Sequence, residues 1–278
     1  MSTATDKRAA RKRVSHGQAA DIWRRLIQNK KAVGALIVLA LLLFLVIFAN
    51  LLIPYGKAID LNPADRLQWP NAQHWFGTDQ YGRDILARVV YGARISLLMG
   101  FGATAISALF GTVIGTTSAY LGGRVDSVIT RILDTWMAVP ALLVTLALIA
   151  GIGRGLTQTI VALAVGGIPG FARVLRAAAL DVVHRDYMEA VNALGASRAR
   201  AVFRHVVPNV MSQVLIQATS SVSGNILLAA TLSFLGLGDY QYYSYLVSIP
   251  GMAIAVTALA INILGDALRD ALDPRLKK

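Results

Sequence analysis

Apolar positions follow one another along most of this chain in runs too long for the buried face of a soluble helix. The first, Ala32 to Ile53, is 22 residues without a charge. At 1.5 Å per residue it reaches about 33 Å, enough to cross a hydrocarbon core of about 30 Å. Five further runs follow, over Ile95 to Tyr120, Thr135 to Ile152, Leu156 to Ala172, Val210 to Leu237 and Tyr245 to Leu264. The pattern predicts an all-α integral membrane protein with six transmembrane helices. It divides the chain into a basic tail (1–31), a first transmembrane helix (32–54), an external loop (55–94), a five-helix core (95–266) that contains a polar segment (184–209), and a second tail (267–278). A signal peptide also starts basic and turns apolar, but it is shorter and ends in a small-residue cleavage site. "ANLLIPYG" offers none, so the first helix is expected to stay.

Charge orients these spans. Only 15% of residues are charged, against about a quarter in soluble domains. With the amino terminus inside, the segments on the cytoplasmic side hold 21 Lys and Arg, nine of them in the first 31 residues, and the outer segments hold 6. Cytoplasmic loops of membrane proteins carry such an excess. The reading is a multi-pass membrane protein with both termini cytoplasmic. The net charge of +12 belongs to those loops rather than to a nucleic-acid groove, since no basic run is interleaved with aromatic residues. Within the first tail, "DIWRRLIQNK" puts Trp23, Leu26 and Ile27 on one helical face, which suits a helix at the lipid interface or a simple flank to the first span. In the outer loop Trp69, Trp75 and Phe76 suit the headgroup level.

Several kinds of chemistry are excluded or lack support. Without cysteine there is no disulfide, thiolate metal site or cysteine nucleophile. His16, His74, His184 and His205 have no metal-like spacing, so no metal site and no catalytic residue are expected. No G-x-x-x-x-G-K-[ST] loop is present, and "GFGATA" lies inside an apolar span rather than after a strand. No ionisable residue is placed deep in a predicted span, as a proton-coupled carrier would require. Small residues abound ("GFGATAISALFGTVIGTTSAYLGG", "AVGGIPGFA") and allow close helix packing. Gly166, Gly167, Pro169 and Gly170 predict a kink. Ser220, Ser221, Ser223 and Asn225 form an uncharged polar cluster in the fifth span that could line a translocation path or bond neighbouring helices.

The polar segment reads as two short helices. Asp186 is placed to cap the first, with Glu189 three residues on; Gly195 ends it; Ser197 caps the second; and Pro208 is expected to stop it near Val207. Small residues Ala190, Ala193 and Ala196 around the turn leave its backbone open to a partner surface, though an interfacial connector touching only lipid headgroups would look the same.

"MEAVNALGASRARAVFRHVVPN" resembles the E-A-A signature of bacterial ABC importer permeases: Glu189, Ala190, Gly195, Val207 and Pro208 fit, while Val191 replaces the second alanine and His205 an isoleucine. "WFGTDQYGRDILARVVYGARISL", "YLGGRVDSVITRILDTWMAVPALL", "TLSFLGLG" and "NILGDALRDALDPRL" are similar to the second permease of dipeptide and oligopeptide importers. The resemblance implies a type I ABC importer permease with a cytoplasmic coupling helix. Its partners would be a homologous second permease, forming a heterodimer, two cytoplasmic ATPase subunits, an external solute-binding protein and membrane lipid. It implies no cofactor in this chain, ATP and magnesium being held by the ATPase subunits, and solutes such as peptides, glutathione or nickel complexes. Glu189, Ala190, Gly195, Ala196, Arg198 and Pro208 would couple the chain to the ATPase, with Arg200 and Arg204 able to meet acidic or polar groups there, or anionic lipid. The outer loop after "SFLGLG" is shorter than the family's usual one. An ATP-independent channel or carrier, or a membrane anchor without transport, would lack need of the helix–glycine–helix segment.

Overall fold

The computed structural model describes residues 22–234 and 248–272, and every regular element among them is helical. After a short helical segment at 22–28 come α1 (Lys30–Ile47), α2 (Ile85–Leu121), α3 (Gly123–Met137), α4 (Ala141–Ile152), α5 (Leu156–Val183), α6 (Asp186–Ala193), α7 (Arg198–Ala201), α8 (Val207–Phe234) and α9 (Ser248–Leu272). Five helices among the described residues are long and apolar enough to cross a membrane, and α3 with α4 make a sixth, bent pair. The "KRAARKR" run, the shortened loop after "SFLGLG" and the last six residues lie outside the described residues.

The core is the pairing of α2 with α5. Along α2, Ala103, Ser107, Gly111 and Gly115 recur every fourth residue and so share a face. All four are buried. A Cβ at Gly111 would stand 2.3 Å from Cβ of Phe171, and one at Gly115 2.3 Å from the Ala172 carbonyl oxygen. Only glycine lets the two backbones approach this closely, which replaces the hydrophobic drive that lipid does not supply. Ser107 Oγ lies 2.8 Å from the Ala164 carbonyl across the contact and 2.9 Å from Ala103 in its own helix. By contrast α1 is apolar on all sides, with Ile37, Leu41, Phe44 and Ile47 exposed, and packs along α9 and α2 from the outside.

Helix α2 has 37 residues, about 55 Å, and outruns any bilayer. Its first turn grows out of a folded cap, residues 55–84. Asp84 caps it by accepting from the Ala87 amide at 2.9 Å, and His74 Nδ1 stands 2.9 Å from the other Asp84 oxygen. At the centre of the cap Asp79, fully buried, takes hydrogen bonds from Arg83 Nε at 2.8 Å, from Arg88 Nη1, and from the amides of Tyr81 at 2.8 Å and Arg83 at 3.1 Å. Gly82 permits this fold: at φ +77° its Cβ position falls 1.8 Å from the Asn62 carbonyl oxygen. Trp69 and Trp75 stand on the cap's surface at 85% and 70% exposure, in keeping with a headgroup-level position.

Several expectations require correction. The second span starts ten residues early, at Ile85, because the cap supplies a terminus that apolarity alone does not mark. The third is bent rather than straight: α3 and α4 meet at 83° across Ala138–Pro140, where proline has no amide to continue the ladder and biases Val139 out of the helical region. The fourth runs on to Val183 and remains one helix through Pro169, with Gly167 facing Ser107 and Gly166 facing Thr145. These longer helices also take in Arg88, Arg94, Arg173 and Arg176. Of the proposed interfacial face, Trp23 and Ile27 are exposed, but Leu26 is buried with Ile22 against Ala267 and Ala271 of α9. That contact brings both ends of the described chain to one end of the bundle.

Candidate functional site

The polar segment folds as helix, glycine turn, helix. Asp186 is the first residue of α6 rather than its cap; Arg185 holds the cap position and no side chain bonds the free amides, so the predicted reciprocal cap with Glu189 does not form. Asp186 and Glu189 instead sit in the first turn, where a carboxylate is favoured by the helix dipole. At the other end the Gly195 amide bonds the Asn192 carbonyl at 3.0 Å and the Ala196 amide reaches back to Val191 at 3.3 Å. This pair of bonds is a Schellman ending, and it needs the left-handed conformation that Gly195 adopts at φ +76°. Ser197 then caps α7 by accepting from the Arg200 amide at 3.4 Å.

The second helix does not stop at Pro208. A π-helical turn over Val202–Val206 carries α7 into α8 without a break, and Pro208 lies in the first turn of α8. The wider turn makes room for a residue with no amide, and Asn209 Nδ2 donates to the His205 carbonyl at 2.7 Å. The coupling segment is therefore continuous with a membrane-crossing helix.

Its inner face is welded to the bundle. Met188, Ala201, Val202 and Val206 are buried, Met188, Ala201 and Val206 in one cluster with Phe171, Leu175, Ala179 and Val182 of α5 and Ala119 of α2. Tyr120, near the end of α2, donates its hydroxyl to Asn192 Oδ1 at 2.8 Å. Outward, Glu189, Ala190, Arg198, Arg200 and Arg204 are exposed and Ala196 is half-buried. At the tip Leu194 is 88% exposed, the most open of the large apolar residues described. The sequence reading did not single out Leu194, Met188 or Asn192. An apolar residue just before a helix-ending glycine, on a segment otherwise polar, was the available signal for Leu194.

The uncharged cluster in α8 divides. Ser223 Oγ contacts Asn262 Oδ1 of α9 at 2.6 Å, and Asn225 Nδ2 donates to Thr104 Oγ1 of α2 at 3.0 Å. Those two residues hold helices together. Ser220 is exposed and Ser221 half-buried, leaving these two for a polar path. A second polar set joins α3 to α5: Asp126 accepts from Arg176 Nε and from Ser118 Oγ, both at 2.6 Å, and Asp134 pairs with Arg173.

Residues 88–278 match the family described as binding-protein-dependent transport system inner membrane component. The chain belongs to this family. Residues 17–70 match a second description, the N-terminal TM domain of oligopeptide transport permease C. This second match ends inside the cap, at residue 70, and the family match begins just after the cap, at residue 88. The chain is 37% identical to the dipeptide transport system permease protein DppC of Alkalihalophilus pseudofirmus, over 92% of this chain and 90% of that one. It is 38% identical to the di/tripeptide transport system permease protein DppC of Pseudomonas aeruginosa, over 92% of each. With the glutathione transport system permease protein GsiD of Pectobacterium atrosepticum it shares 36% identity over 92% of this chain and 91% of that one. It is thus a permease subunit of an ABC importer, a multi-pass protein of the bacterial inner membrane that works in a complex with other subunits.

Proposed function

We propose that this permease moves small peptides, or solutes of the same size and polarity such as glutathione, across the inner membrane, and that α6 with the Gly195 turn is the handle by which ATPase subunits drive it. The reading is supported above all by one observation: a rigidly capped, polar turn presents Leu194 outward while its inner face is buried against α2 and α5. An exposed apolar tip on a segment whose Glu189, Arg198 and Arg200 are also exposed has the make-up of an interface core with a polar rim. The sequence has no phosphate-binding loop, so ATP and magnesium belong to two cytoplasmic ATPase subunits. A homologous second permease completes the path and an external binding protein delivers the solute. The charge bias of the loops supports a cytoplasmic coupling segment and cytoplasmic termini.

Force applied at the turn has a direct route. Met188 and Val206 lie against α5, and Tyr120–Asn192 ties the same place to α2, which runs unbroken to the cap at the opposite end. Closing of the ATPase pair would thus shift α2 and α5 as one body, since their glycine-lined contact leaves no slack.

The chain lacks cysteine, so Leu194→Cys creates a unique thiol. In the reconstituted complex a thiol-anchored photoreagent at this position is expected to capture an ATPase subunit. Capture of phospholipid alone, with ATP-driven uptake intact, overturns the assignment.

A further inference from the structure

The bent third span sets its two helices at different tasks. Helix α4 is apolar throughout and runs antiparallel along α5, with Thr145 against Gly166 and Ile149 in one cluster with Leu163. Helix α3 instead runs across α5. Its Asp126 bonds Arg176 and its Asp134 pairs with Arg173. On α3 these contacts are eight residues apart, about 12 Å, but on α5 only three, about 4.5 Å. Their level is fixed as well. By the charge bias α5 begins on the outer side at Leu156, and Arg173 and Arg176 lie about 26 and 30 Å along it. The hydrocarbon core is about 30 Å thick, so α3 meets α5 at its cytoplasmic boundary. The last turn of α3 and α4 then make the crossing.

The faces of α3 are turned the opposite way from those of a soluble helix. Its carboxylates point inward, to α5, while Val125, Val128 and Ile132, three and four residues apart, share a face and are exposed. Arg124 and Arg131 are two turns apart and share the edge between the apolar face and the acidic one. Both are exposed, and among the described residues neither pairs with a carboxylate. With Asp126 and Asp134 engaged by α5, the charge that α3 shows outward is purely basic. We propose that α3 is an in-plane anchor on the inner leaflet: Val125, Val128 and Ile132 sink among acyl chains, and Arg124 and Arg131 bind the phosphates of anionic lipid. Helices with an apolar face and a basic polar edge lie in the membrane interface in this way. The level of α3 and the sign of its free charge select lipid over a protein partner, since guanidinium groups at the headgroup level meet phosphate oxygens. Arg173 and Arg176 flank Leu175, which packs the coupling segment, so α3 ties that stretch of α5 to the leaflet.

The cysteine-free chain again supplies the test. Nitroxide labels are placed by Val128→Cys and Ile132→Cys on the apolar face and by Ser127→Cys, an exposed position off that face. They are read in the permease with its companion subunits, reconstituted in bilayers of phosphatidylcholine and phosphatidylglycerol. Labels at 128 and 132 should collide with dissolved oxygen and be shielded from a water-soluble nickel chelate, and the label at 127 should behave in the reverse way. A fluorophore on Val128→Cys should be quenched by nitroxide-tagged phosphatidylglycerol in preference to equally tagged phosphatidylcholine. Arg124→Gln together with Arg131→Gln should remove that preference, a loss of about fivefold for each arginine. Shielding of position 128 from oxygen and nickel alike means that protein covers the face, as a second permease would. Nickel access at 128 means that water does. Either result overturns the proposal, as does equal quenching by the two lipids or a preference that survives loss of both arginines. None of these readings depends on crosslinking at Leu194 or on uptake, so a failure of the coupling assignment is read separately.

Discussion

Replacing Gly195 separates two reasons why a glycine could be needed at the coupling turn. The first is conformational: at φ +76° a side chain crowds its own backbone. The second is steric, a partner surface that closes over the turn and leaves no room for a Cβ. Within the chain nothing lies within 4 Å of a Cβ built at this position, so Gly195→Ala meets no internal clash and its cost inside the chain is the left-handed backbone alone. That cost is about 1–2 kcal/mol, which lowers the population of the native turn by about five- to thirty-fold relative to its alternatives. Asparagine visits the same conformation more readily. A β-branched residue is worse. If conformation governs, ATP-driven uptake should therefore fall in the order Gly, Asn, Ala, Val. Basal ATP hydrolysis should be kept, because Met188, Val202 and Val206 still anchor the segment. Proteoliposome uptake measured beside ATP hydrolysis gives the coupling ratio. Hydrogen exchange at the Gly195 and Ala196 amides, both bonded in the native turn, reports the turn itself. Should Ala retain more coupling than Asn, the smaller side chain wins and the requirement is steric. Wild-type coupling in the Val variant would refute the role of the turn altogether.

Two further measurements follow from the packing. A double-mutant cycle with Ser223→Ala and Asn262→Ala, read by thermal unfolding in detergent, should give a coupling energy near 0.6 kcal/mol and no higher than about 1.7. Additive effects would show that the 2.6 Å contact does not hold α8 to α9 and would return Ser223 to the path. Asp79→Asn removes the carboxylate that both Arg83 and Arg88 bond to inside the cap, and should cost about 3–5 kcal/mol. Limited proteolysis should then cut within residues 55–84 of the variant; wild-type resistance would mean that the cap holds without the Asp79 carboxylate.

Much of this architecture was legible in the chain. Long uncharged runs have one physical solution in lipid, the helix, because only there are all backbone polar groups satisfied within the segment. Local chemistry also spoke plainly where the partner groups lie a few residues apart: Gly195 ending α6, Ser197 capping α7, and the polar turn between two short helices. What depends on distant neighbours was not legible. Pro208 predicts a stop, but a π-helical turn absorbs it, and the burial of Val202 and Val206 makes continuation into α8 the favourable course. Ser223 and Ser220 look alike in sequence, and only the position of Asn262 on α9 assigns one to packing and leaves the other exposed. Asp126 and Arg176 are 50 residues apart, and no local pattern announces their pairing. Hydrophobicity and turn chemistry act over a few residues and are written in the order of the chain. Ion pairs, glycine contacts and the choice between path and packing are set by which helix happens to stand opposite, and that is decided only when the bundle closes.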